Sequence, residues 1–133
     1  MDKPAEADRG LSAEAREILN EISGDRAEVP DEMKNLAKHS PGFLRTFHET
    51  YQHVMRESEL SPKVKELILV AVDAATYYHY GCEIHIRGAL REGATQGEIA
   101  EALEVAGLAG GFHVPLAAAS SFEKVLMEQE RDD

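Results

Sequence analysis

Cys82 and His85 stand three residues apart in YYHYGCEIHIRGALREGAT, residues 77–95, a spacing that makes them neighbours on one helix face. A helix starting at Cys82 would put the sulfur in its first turn, where unpaired amides and the positive dipole end stabilise a thiolate. A lone cysteine serves equally well as a small core hydrophobe, and both readings stay open. His85 has a chemistry of its own. Gly88 and Ala89 follow it and leave room for a helix or a ligand to approach. Glu66, one step from the apolar position Leu67, could reach His85 across a helix pair, fix its tautomer and support it as a proton acceptor. The plain alternative is a surface glutamate beside Lys63 and Lys65.

Around this pair lie further candidates. Tyr77, Tyr78, His79 and Tyr80 form an aromatic run with polar tips, suited to walling a pocket or sealing a subunit contact; Tyr78 and Tyr80 are candidate substrate contacts. His113, just past Gly110-Gly111, is another. Arg87 and Arg91 are one turn apart and could anchor a substrate carboxylate, although an ion pair from Arg87 to Glu83 competes. His39, His48 and His53 are dispersed. No His-x3-His or Cys-x2-Cys spacing marks a metal site, and there is no phosphate-cradling glycine loop, serine elbow or dinucleotide fingerprint. The expectation is a site with neither cofactor nor metal.

The elements that must carry these residues are all helical. Apolar residues recur at spacings of three and four almost throughout, and no stretch alternates as a strand would. Ser12 caps a helix ending at Ser23-Gly24, Asp31 opens a short one through Ala37, and a third runs from about Gly42 to Arg56 with Phe43, Phe47, Tyr51 and Val54 on one face. Ser61-Pro62 starts a long helix whose inward stripe reads Val64, Leu67, Ile68, Ala71 and Ala75, ended by Gly81. The next spans about Cys82 to Glu92. Thr95-Gln96-Gly97-Glu98 is a capping box opening the helix of Ile99, Leu103 and Ala106, and Pro115 sits in the first turn of a last helix reaching about Gln129.

The whole chain of 133 residues has a net charge of −11, placed mostly at its ends: residues 1–32 hold ten acids against four bases, and residues 33–121 ten against eight. With no basic stripe, neither a nucleic acid nor a membrane surface is an expected partner. No apolar run at the N-terminus suggests a leader or a span, and one cysteine cannot close an internal disulfide. The cytoplasm is the expected compartment. We read residues 1–29 as an acidic segment with a short amphipathic helix and 30–133 as the domain. Alanine-rich stretches at 71–75 and 117–119 allow close helix contact, and so many short helices in a small chain point to a homo-oligomer.

Residues 30–127, through SPKVKELILVAVDAAT and HIRGALREGATQGEIAEALEVAGLAGG, resemble the carboxymuconolactone decarboxylase family, which includes the alkylhydroperoxidase D proteins. The resemblance implies an all-α, multi-helix fold assembling as trimers or hexamers. The redox branch of that family carries a glutamate, eleven residues, Cys-x2-Cys, three residues and a histidine. On this chain the glutamate falls on Glu66 and the histidine on His85, but the cysteine positions fall on Tyr78 and Gly81, and a further relay histidine on Tyr80. A dithiol peroxidase cycle has no second sulfur here. The decarboxylase branch lacks the cysteines and uses a histidine at the position of His85. The resemblance thus implies general acid–base catalysis on a small carboxylate or lactone, with His85 as the acid or base, Glu66 orienting it and Arg87 or Arg91 holding a carboxylate. Two alternatives remain: peroxiredoxin-type antioxidant activity of Cys82 with an external resolving thiol, or a non-catalytic small-molecule binder with Tyr77 to Tyr80 lining its pocket.

Overall fold

The computed structural model describes residues 9–25 and 29–133, and every regular element among them is a helix. The chain divides into two compact units, residues 1–56 and 57–133. That division falls later than the boundary at 29/30 expected from composition. The reason is that the first helix is tied to the next two rather than to an acidic tail.

In the first unit, α1 (Ala13–Asp25), α2 (Asp31–His39) and α3 (Pro41–Met55) close on a core of Ala15, Ile18, Ile22, Ala37 and Leu44. Ser12 caps α1, its Oγ accepting from the Ala15 amide at 3.1 Å, and Arg45 reaches Glu21 at 2.8 Å. The inward residues of α3 are Leu44 and His48. Phe43, Phe47 and Val54, read from the sequence as one face, are exposed: an apolar row fixes a face but not which way it turns. The acidic residues 1–8 and 26–28 lie outside the described residues.

The second unit holds α4 (Pro62–Ala75), α5 (His79–Arg91), α6 (Gln96–Gly110) and α7 (His113–Asp132). Ser61 and Pro62 start α4 as expected, with the Ser61 hydroxyl accepting from the Val64 amide at 3.3 Å. The Thr95–Glu98 capping box starts α6, closed by reciprocal bonds of 3.0 and 3.1 Å. A shared core of Val70, Ala74, Cys82, Ile86, Ala89, Ile99, Leu103, Val114, Ala118 and Val125 fixes the four helices together.

Two helix ends in this unit use the same device with different residues. α5 closes with Gly93 at φ 90°, its amide bonding the Leu90 carbonyl and the Ala94 amide bonding Ala89. This is a Schellman turn with glycine at its left-handed position. α4 closes the same way, through Tyr77 to Ala74 and Tyr78 to Asp73, but the left-handed residue is Tyr77 at φ 58°. A side chain there costs about 1–2 kcal/mol relative to a relaxed residue. The turn therefore comes before Tyr78, α5 begins at His79, and Gly81 is a buried residue within α5 rather than the end of α4.

The inward row of α4 is also shifted. Its buried residues are Glu66, Val70 and Ala74, while Ile68, Val72 and Ala75 are exposed. Nearly every face of VKELILVAVDAA is apolar, so periodicity alone cannot choose the buried one.

Candidate functional site

Four residues apart along α4, Glu66, Val70 and Ala74 all turn to the protein interior, and the first of them is an acid. Asp73, seven residues beyond Glu66, stands two turns up the same helix, about 10 Å along its axis. Antiparallel to α4, α5 presents Gly81, His85 and Gly88 to these acids. His85 fills the space between them: its Nδ1 lies 2.8 Å from Glu66 Oε2 and its Nε2 3.8 Å from Asp73 Oδ2. The imidazole is 13% exposed and the Asp73 side chain 16%, enough for a small molecule to reach them and too little for bulk water to surround them.

The two glycines make this arrangement possible. A Cβ at Gly88 would lie 2.6 Å from the Glu66 carboxyl carbon, and one at Gly81 would overlap Asp73 Oδ2 and the edge of the Tyr78 ring. Each glycine of α5 faces one acid of α4. Gly88 was singled out in the sequence as leaving room for a helix or ligand; what occupies the room is the Glu66 carboxylate.

The electrostatics follow from the geometry. A carboxylate accepts and does not donate, so the short contact to Glu66 places a proton on His85 Nδ1 and leaves Nε2 to face Asp73. Burial pushes the Asp73 carboxyl above the ordinary carboxylate range, and the His85 imidazole beside it pulls against that rise. Asp73 was not among the residues picked from the sequence. Its signal was present: it is the one charged residue in LILVAVDAAT, and it shares a helical register with Glu66.

Cys82 is part of the packed interior. It is fully buried in the core of the second unit, and its thiol donates to the Val70 carbonyl at 3.8 Å. Because α5 starts at His79, Cys82 lies beyond the first three residues of the helix, and its amide is bonded to the Tyr78 carbonyl. Burial, and then the charges of Asp73 and Glu83, push the thiol up to about 12. Of the two readings open from the sequence, the small core hydrophobe is the one this burial favours: low dielectric and two nearby acids disfavour the charged sulfur.

The remaining sequence candidates are scattered. Tyr78 caps α5 and lays its ring beside Gly81 and Asp73, at the edge of the site. Tyr80 is partly buried in the first turn of α5. His113 opens α7 and stacks on Tyr77, ring centroids 6.0 Å apart at 10°, with His79 edge-on to the same tyrosine at 6.3 Å. This ring cluster braces the strained turn between α4 and α5. Arg87 is turned away from His85: its Nε and Nη2 bond the two carboxylate oxygens of Glu128 at 3.0 and 3.1 Å, and Nη2 lies 3.9 Å from Glu83. Glu83 is in turn 3.1 Å from Lys124. Arg87 is thus a strut between α5 and α7, as the competing ion-pair reading had it, rather than an anchor beside the imidazole. Arg91 borders a groove with Arg87, Glu128 and Asp132 that does not include His85.

Among the described residues no group of three or more His, Cys, Asp or Glu side chains is placed to hold a metal ion. No helix of these residues is long and apolar enough to cross a membrane.

A helical unit in which an antiparallel pair holds an imidazole between two carboxylates defines the class: an all-α protein with a histidine–carboxylate cluster inside a helix pair. A family model for carboxymuconolactone decarboxylases matches residues 41–124, most of the chain, and the protein belongs to that family. No curated protein matches it in sequence. Among solved structures it is similar to a "putative carboxymuconolactone decarboxylase" from Burkholderia xenovorans LB400, at 20% identity and a TM-score of 0.77 over 90% of this chain and 98% of that one. At that identity the likeness is one of fold.

Proposed function

We propose that the protein is a decarboxylase-like enzyme that acts on a small carboxylate or lactone by general acid–base catalysis at His85, with Glu66 orienting the ring. The observation that carries this reading is the 2.8 Å contact between His85 Nδ1 and Glu66 Oε2 inside a nearly closed helix pair. It leaves the other imidazole nitrogen facing Asp73, with the tautomer fixed by Glu66. In such a reaction the substrate carboxylate leaves as carbon dioxide, the bonding pair enters a conjugated carbonyl, and a proton is delivered to carbon. The thiol-dependent reading finds no support in the burial of Cys82 or in its elevated thiol.

The same proposal includes a homo-oligomer, trimer or hexamer, working in the cytoplasm. Its support is apolar surface at the junction of α6 and α7. Leu108 is 87% and Phe112 85% exposed, with Val105 and Leu116 beside them in sequence register, more than a lone protomer ordinarily leaves in water. The test of function is carbon dioxide release from a panel of small lactone carboxylates. His85→Ala is expected to slow release by about a hundredfold or more while circular dichroism stays unchanged. Release that persists at the wild-type rate in that variant would end the proposal.

A further inference from the structure

We propose that Asp73 is the second proton-transfer group of this site, working across the reacting atoms from His85 Nε2. The inference rests on the acid–base reading of His85 and adds a residue to it.

Geometry is the first argument. Nε2 and Asp73 Oδ2 are 3.8 Å apart, beyond a direct hydrogen bond yet close enough for two adjacent ligand atoms to touch both groups. The second argument is the room made for Asp73. Gly81 sits inside α5, where glycine weakens a helix, and any side chain there would overlap the Asp73 carboxyl. Third, the fold gains nothing evident from this acid. Burial disfavours its charge, so Asp73 readily keeps a proton to give.

The ionisable groups around the imidazole are accounted for on each packed helix. α4 supplies Glu66 and Asp73. On α5, Cys82 is turned to Val70, while Glu83 and Arg87 are turned to Lys124 and Glu128 of α7. On α6, Glu98 is paired with Lys63. The imidazole is therefore faced by Glu66 on one nitrogen and Asp73 on the other.

The proton transfers balance as follows. On an unsaturated lactone, His85 Nε2 takes the proton from the carbon next to the carbonyl, and the C–H pair enters the conjugated system. The Asp73 O–H then delivers its proton to the far end of the dienolate. Return of the proton from Nε2 to Oδ2 through water resets the pair with no net gain or loss. Where the reacting carbon bears a carboxylate, departing carbon dioxide supplies the electron pair instead, Asp73 again delivers the proton, and one proton is drawn from water.

The test uses the full chain with α-angelica lactone, which has no carboxylate, in deuterium oxide. Proton NMR is expected to show deuterium uptake and double-bond migration with the wild type. Asp73→Asn and His85→Ala should each slow it by about tenfold or more, with Asp73→Glu restoring part. In protein carrying ¹³C-labelled aspartate carboxyls, the signal missing from Asp73→Asn should titrate above the other aspartates, and wild-type exchange should fall as pH rises through that same value, a pH profile that a purely structural role for Asp73 would not supply. Wild-type exchange no faster than buffer, an Asp73→Asn variant as fast as wild type, or an Asp73 signal titrating with the other aspartates would each overturn the assignment. Exchange without carbon dioxide release from carboxylated lactones would sink the decarboxylase reading and leave Asp73 in place.

Discussion

Gly88→Ala should destabilise the second unit, and should stop doing so once the Glu66 carboxylate is removed. In an ordinary helix interior this change stabilises by about 1 kcal/mol, because alanine is the better helix former. Here the added Cβ would lie 2.6, 2.6 and 2.7 Å from the Glu66 carboxyl carbon and its two oxygens. The carboxylate must move, and its contact to His85 at 2.8 Å goes with it. A hydrogen bond to a charged group contributes about 1.5–3 kcal/mol, so the loss outweighs the propensity gain by roughly 1 kcal/mol. In a unit of this size that lowers Tm by about 4–8 °C. With Glu66→Ala already present, Gly88→Ala has nothing to collide with and should raise stability by about 1 kcal/mol. Urea denaturation of the four proteins gives the coupling directly. The same effect of Gly88→Ala in both backgrounds would refute the fit of glycine to carboxylate.

Four further outcomes follow from the site and its supports. Asp73 is raised by burial, so the native state binds its proton more tightly than the unfolded chain does; stability from that proton is present at low pH and falls as pH rises through the raised value. Asp73→Asn should flatten this fall and be the more stable protein at pH 7, and a variant with an unchanged pH–stability curve would contradict it. Cys82, with a thiol pushed up to about 12, should resist iodoacetamide from pH 5 to 9 and react only on unfolding; alkylation of native protein at the rate of free cysteine would contradict its burial. Thr95→Ala removes the hydroxyl that caps α6 at 3.0 Å and should cost about 1 kcal/mol by thermal denaturation, against no measurable loss if the box is ornamental. Phe112→Asp should reduce the mass found by light scattering toward 14.7 kDa, and an unaltered mass would remove α7's start from the proposed subunit contact.

Much of the fold could be read from local chemistry. Ser61-Pro62, Thr95 to Glu98 and Ser12 each mark a helix start because a hydroxyl or a proline satisfies the first-turn amides there, and all three hold in the structure. The inward row of α4 was misread because, where a helix is apolar on several sides, only its packing partners decide which row is buried. The start of α5 was missed because its boundary rests on Tyr77 in a left-handed turn, where glycine would be expected, and Gly81 four residues later drew the reading away. Glu66 and His85 were found as a pair through their chemistry and the family pattern. Asp73 escaped because a lone aspartate in an apolar helix has no motif; its meaning comes from His85 arriving opposite it on another helix.

The central claim is that Glu66 acts through His85, and turnover of Glu66→Gln, His85→Ala and the double variant on one lactone carboxylate tests it most directly. If the two residues form one unit, the double variant will be no slower than His85→Ala alone, since removing the ring leaves Glu66 nothing to orient. Losses that multiply in the double variant would show that Glu66 acts independently of the imidazole and would contradict the account.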